Sequence, residues 1–338
     1  MATKQRIAYL DFIKGVCIVL LVSFHVKPTG HELNQTFLMP IFFFLSGLNF
    51  KTYDSFGSFL RRKVNSLVVP LVFFLVLGTI YYFCRNLLET HFNVNESFSL
   101  MPLNPIKNNT PMWFLFVLFS LNIIYYVFVR FLPRWLVIVL SLVLGGVGYW
   151  IASSGCVLEP YLDMTFVALP FFMLGNEASK WGIITYRPHL LPALALAAAT
   201  IVWVWLDTPV INMLQRNYPS PLLLFGMTTM VIFSLFFLCQ RVKRPVPVIS
   251  YFGRYSLIIL GTHYFLIGPL KQVFGALLPQ LAGTTAIYLI TLLLVLVMEY
   301  PVIYLLRKYL PRLTAQEPFF YEGWRLAKTE AATKPQPK

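Results

Sequence analysis

Three ionisable side chains, Asp11, Lys14 and His25, interrupt an otherwise apolar stretch, LDFIKGVCIVLLVSFHV (residues 10–26). A charged Asp or Lys costs about 2.5–3.5 kcal/mol at the centre of a bilayer. On a helix, Lys14 and His25 are separated by eleven steps of 100°, which leaves them about 20° apart in azimuth and about 16 Å apart along the axis. Asp11 precedes Lys14 by three positions and can pair with it. The three groups therefore form one polar stripe. Histidine titrates near neutrality, so His25 is a candidate general base, or a nucleophile that carries an acyl group in transit. Two readings stay open. The stripe faces a cavity or the bundle interior, or else Asp11 and Lys14 form an interfacial pair while His25 marks the outer end of the helix.

Further chemistry-bearing residues are spread along the chain. FLRRKVNSLVVP (59–70) holds Arg61, Arg62 and Lys63, which suit anionic phosphates or simply set topology. TPMWFLFVLF (110–119) places Trp113 at the start of an apolar run. NMLQRNY (212–218) offers Asn212, Gln215 and other polar groups of the kind that bond sugar hydroxyls. ISYFGRYSLIILGTHYF (249–265) puts Ser256 and His263 seven residues apart, two turns along one helical face. Glu299 is another ionisable group within an apolar run, and Glu177 ends LPFFMLGNEASK (169–180). Cys17, Cys84, Cys156 and Cys239 are isolated and read as small apolar fillers without metal-site spacing; a Cys84–Cys156 disulfide has no support beyond a shared outer position.

The elements that must carry these groups are membrane helices. Of the 338 residues, 58% are hydrophobic and 12% charged, with mean hydropathy +0.70, whereas a soluble domain carries about 25% charged residues. The pattern predicts an all-α, polytopic transmembrane bundle of about ten spans, near 7–27, 36–50, 67–87, 112–131, 134–152, 162–178, 189–206, 220–239, 250–268 and 284–305. The short second and sixth spans are expected to be tilted or buried among the others. The first stretch lacks a small-residue cleavage site and is expected to be retained. With the N-terminus in the cytoplasm, only Lys27, Arg85, Lys107, Arg216 and Lys271 fall on the outer side, Lys14 lies within the first span, and the remaining Lys and Arg are inside. Both termini are accordingly expected in the cytoplasm. The net charge of +14 follows from this topology and does not call for nucleic acid. The polar outer loop 85–111 is long enough to form a lid. Residues 1–310 are expected to form the membrane domain and 311–338 a cytoplasmic polar tail.

Six segments in order, RIAYLDFIKGVCIVLLVSFH, FFFLSG, the basic run ending at Pro70, MWFLFVLF, LPFFMLG and GRYSLIILGTH, resemble the integral-membrane acyltransferase family 3, with greatest similarity to its fucose 4-O-acetyltransferase-like branch. The resemblance implies transfer of an acyl group, usually acetyl from acetyl-CoA as co-substrate, to a hydroxyl of a sugar, oligosaccharide or polysaccharide acceptor, without a metal, at a bacterial inner membrane. It implies catalysis by His25, with Lys14 and Asp11 on the same stripe. For such a reaction the side-chain chemistry makes Arg61, Arg62 and Lys63 the candidate donor contacts and Trp113, Asn212, Gln215 and His263 the candidate acceptor contacts. The family has an arginine where this chain has Lys14, which keeps the charge and loses the planar fork. Its Arg-x-x-Arg before a proline reads Lys63-Val64-Asn65-Ser66 here, without the second cation. The competing class is a transporter or flippase of a lipid-linked glycan or small anionic solute; the paired interrupted helices typical of such proteins are not visible in the sequence.

Overall fold

The computed structural model describes residues 7–27, 32–53, 55–102, 104–186, 189–206, 211–281 and 283–320. Lys4, Arg6, Arg187, Arg325, Lys328, Lys334 and Lys338, all assigned to the inner side, lie outside these residues, as does most of the expected tail. The chain is an all-helical bundle. Its helices are α1 (Ala8–Val26), α2 (Glu32–Leu48), α3 (Phe56–Lys63), α4 (Val69–Glu89), α5 (Val94–Ser99), α6 (Trp113–Phe131), α7 (Arg134–Ser153), α8 (Leu162–Lys180), α9 (Leu190–Leu206), α10 (Thr228–Cys239), α11 (Pro247–Arg254), α12 (Ser256–Leu277) and α13 (Thr285–Tyr309). Among the described residues, seven helical stretches are long and apolar enough to cross a membrane: Ala8–Val26, Phe56–Glu89, Pro105–Phe131, Arg134–Ser153, Leu222–Cys239, Ser256–Leu277 and Thr285–Tyr309. Their outward faces are apolar, as lipid requires. Val72, Val76 and Ile80 form one exposed stripe on α4, and Leu289, Leu293 and Val297 another on α13.

Two close helix pairs organise the interior, and both explain sequence segments noted above. Gly47 on α2 lies against the Phe172 carbonyl of α8, while Gly175 on α8 lies against the Phe44 carbonyl of α2. A Cβ at either position would overlap backbone, so FFFLSG and LPFFMLG are the two halves of one contact. Both helices sit inside the bundle, as their short length foretold. Phe43, Phe44, Phe171 and Phe172 are fully buried there. The second pair joins α1 to α11. Gly15 meets the Ile249 carbonyl and Gly253 meets the Asp11 carbonyl.

The structure departs from the expected elements in three places. The basic run 61–63 is not a connection before the third span. It is the end of α3, continuous with α4 through a π-helical turn, Val64–Val68. The ninth span is two helices, broken at Tyr255 (φ −110°, ψ 21°). The break lets α11 lie on the inner half of α1 while α12 continues along its outer half. The outer loop 85–111 is folded rather than extended. It contains α5 and a 3₁₀ segment, Pro105–Met112, whose Asn108 and Asn109 are buried. Asn109 donates from Nδ2 to the carbonyls of Phe74 (3.2 Å) and Gly261 (2.9 Å), fastening this segment to α4 and α12. An uncovered buried amide is costly, and these bonds are what bring the polar loop inside.

At the inner end, Glu177 bonds Arg134 and Lys180, each at 2.7 Å, and so ties the end of α8 to the start of α7. Beyond α13, the backbone of Phe320 exchanges two hydrogen bonds with the Asn65 side chain, at 2.9 and 2.7 Å, which holds the start of the C-terminal segment beside the basic run.

Candidate active site

His25, near the C-terminal end of α1, meets His263, in the N-terminal half of α12. Nδ1 of His263 lies 2.7 Å from the Ile259 carbonyl oxygen, one turn back on its own helix. A carbonyl only accepts, so Nδ1 of His263 carries the proton. In the neutral ring Nε2 is then an acceptor. It lies 3.1 Å from Nδ1 of His25, which therefore donates. The Leu21 carbonyl is a second backbone partner of the His25 ring. This tautomer leaves Nε2 of His25 as a lone pair able to take a proton. Phe24 and Tyr264 flank the imidazole at ring-centroid distances of 5.1 and 5.0 Å.

His25 lines a cavity of about 260 Å³, called outer for the side expected of it from the distribution of Lys and Arg. Its walls come from α1, α2, α6, α12, the 3₁₀ segment and the loop before α10. Trp113, Asn212 and Gln215 all line this cavity, so three of the expected acceptor-contacting residues converge on the expected base. His263 does not line it. It is fully buried behind His25.

The loop carrying Asn212 and Gln215 is held by its own chemistry. Ile211 and Met213 are buried anchors. Asn212 and Asn217 exchange backbone hydrogen bonds at 3.0 Å. Arg216 has a left-handed backbone (φ 58°), and its guanidinium binds both carboxylate oxygens of buried Asp163 at the start of α8. Tyr218 donates to the Met213 carbonyl at 3.4 Å. Burial pushes the Tyr218 phenol well above its usual range, with Asp163 adding to the rise, so it stays a donor. Arg216 and Tyr218 thus shape the loop, and Asn212 and Gln215 remain at the cavity wall.

Lys14 lines a different, inner cavity of about 180 Å³, together with Ser46, Ser66 and Ser256. Met39 and Leu260 line both the inner and the outer cavity. The polar stripe on α1 therefore addresses two neighbouring cavities, Lys14 the inner and His25 the outer. Asp11 is not among the lining residues; its carbonyl packs against Gly253. Arg61 is exposed. The Arg62 guanidinium lies 4.6 Å from the Tyr53 ring centre and the Lys63 ammonium 5.6 Å from that of Phe59. These three precede by about one turn Ser66 and Leu67 of the inner cavity, which belong to the π-helical turn itself.

Sequence reasoning passed over Thr110 and Tyr264, which both line the outer cavity. Thr110 precedes the singled-out Trp113 by one turn, and Tyr264 directly follows His263; each was visible only as a neighbour. Glu299 lies beside α12, where both its carboxylate oxygens are 2.9 Å from Thr262 Oγ1, one residue from His263. Among the described residues no group of three His, Cys, Asp or Glu side chains is placed to hold a metal, and all four cysteines are free.

A polytopic helical bundle with a backbone-anchored histidine pair beside a cavity defines the class: an integral-membrane protein. A family model described as an acyltransferase domain, acyltransferase family 3, matches residues 7–314, so the chain belongs to that family of membrane acyltransferases. No curated protein and no solved structure matches the chain significantly.

Proposed function

We propose that the protein transfers an acetyl group from cytoplasmic acetyl-CoA to a hydroxyl of a sugar or cell-surface glycan precursor at the outer face, with Nε2 of His25 as general base. The observation that carries this reading is the hydrogen-bond chain from the Ile259 carbonyl through His263 to His25. It fixes the tautomer in which His25 accepts a proton at the edge of a cavity large enough for a sugar. A sugar hydroxyl is a poor nucleophile at neutral pH. As its oxygen attacks the thioester carbonyl, its proton passes to His25 Nε2, and the departing CoA thiolate takes that proton back. His263 touches neither reactant; it positions the His25 ring and shares the charge that develops there.

The two cavities, which share Met39 and Leu260 as walls, suit the two substrates. Lys14 with three serine hydroxyls suits the amides of a pantetheine arm, and Arg61, Arg62 and Lys63 at the cytoplasmic end suit the phosphates of CoA. The thioester reaches His25 past Met39 and Leu260. Trp113 offers an aromatic face to a sugar ring, and Asn212 and Gln215 offer amides to its hydroxyls. The fucose 4-O-acetyltransferase-like resemblance favours a sugar acceptor. The test is purified protein in proteoliposomes, with radiolabelled acetyl-CoA on the side of the basic run and a neutral glycoside on the other. Acetylated glycoside is the expected product. Absence of both transfer and acetyl-CoA binding would overturn the reading.

A further inference from the structure

His25 and Tyr264 are also walls of a second outer cavity, of about 230 Å³, on the side of α4. Tyr81, Tyr82, Arg85 and Lys271 complete its polar lining, and no carboxylate lines it. Resting on the transferase reading above, we propose that this cavity is the acceptor's phosphate subsite, so that the preferred acceptors are phosphate-bearing glycosides.

The outer face is poor in cations, as topology demands, yet two of its few converge here. Lys271 donates from Nζ to the His25 backbone carbonyl at 3.4 Å, a neutral partner that leaves its charge uncompensated while holding it beside α1. Arg85 pairs with Glu89 at 2.8 Å, but both side chains are almost half exposed (41% and 49%), and such a pair contributes little and exchanges readily. Of the other outer cations, Arg216 is bound to Asp163 and Lys27 lies over the Tyr288 ring. A phosphate suits this lining chemically. The Arg85 fork binds two of its oxygens, Lys271 supplies a second charge, and the Tyr81 and Tyr82 hydroxyls are further donors. Because the cavity ends at the His25 ring, a glycoside held by its phosphate extends towards the base.

Equilibrium binding to wild-type protein in phosphatidylcholine nanodiscs tests this without turnover. The probes are glucose 1-phosphate against glucose, and dodecyl phosphate against dodecyl maltoside. The expected result is at least about tenfold tighter binding of a phosphate probe than of its neutral counterpart, the factor expected from one charge-assisted contact. The preference should vanish in Arg85→Gln/Lys271→Gln and persist in the charge-retaining Lys271→Arg. Preference for glucose 1-phosphate assigns a soluble sugar phosphate, and preference for dodecyl phosphate alone assigns a lipid-borne one; both support the subsite. Equal binding of charged and neutral probes, or a preference that survives the double substitution, overturns it. A preference without acetyl transfer would leave the phosphate site standing and remove the transferase reading, whereas transfer without a preference would do the reverse.

Discussion

His263→Leu removes the acceptor that fixes the His25 ring while keeping a buried apolar side chain of similar bulk. His25 Nδ1 then loses its partner at 3.1 Å. A buried donor left without its partner costs about 1–3 kcal/mol, and each 1.36 kcal/mol is tenfold in rate, so kcat is expected to fall by about 5–150-fold. His263→Gln is the internal control, because its amide oxygen reaches the place of Nε2 and accepts from His25. The assay is steady-state transfer of labelled acetyl to a glycoside, with donor KM and thermal midpoint measured on the same preparations. The expected pattern is a kcat loss in His263→Leu, recovery to within about threefold of wild type in His263→Gln, and donor KM unchanged in both. Wild-type kcat in His263→Leu would refute the relay. So would equal damage in the two variants, since a purely packing role does not distinguish an acceptor from a methyl group.

Three other outcomes follow from the geometry. Lys14→Ala is expected to raise donor KM by about 10–100-fold through loss of a charged contact, while Lys14→Arg stays within a few-fold of wild type; unchanged KM in Lys14→Ala would restrict Lys14 to anchoring α1. Gly15→Val places side-chain carbons against the Ile249 carbonyl of α11 and is expected to destabilise the fold by about 3 kcal/mol, read as a lowered unfolding temperature. Asp163→Ala leaves Arg216 without its buried carboxylate, which is expected to cost about 3–5 kcal/mol and to raise acceptor KM while leaving donor KM alone, because the released loop carries Asn212 and Gln215.

The helical fold was readable in the sequence because runs of about 20 apolar residues leave the backbone no alternative in lipid. The shared face of Lys14 and His25 followed from helical periodicity alone. That the two groups serve different cavities did not, since the walls these cavities share, Met39 and Leu260, come from two other helices. Likewise, Trp113, Asn212 and Gln215 were singled out as polar or amphipathic residues at outer positions, but their convergence needs the Asp163–Arg216 pair and the inward fold of Asn108 and Asn109. His25 and His263 were each visible as ionisable groups; their pairing across 238 positions was not. The break at Tyr255 escaped notice although Gly253, Arg254 and Ser256 flank it, because the apolar run around it reads as continuous; Gly253 there packs against the Asp11 carbonyl of α1. Tertiary contact set each of these features, and periodicity does not report tertiary contact.

The most direct test of the central claim is acetyl transfer by wild type and His25→Ala, compared in preparations with matched thermal midpoints and matched acetyl-CoA binding. Loss of a positioned general base is expected to lower kcat by about 10²–10⁴-fold. Transfer by His25→Ala within threefold of wild type, with the donor still bound, would contradict the assignment of His25 as the base.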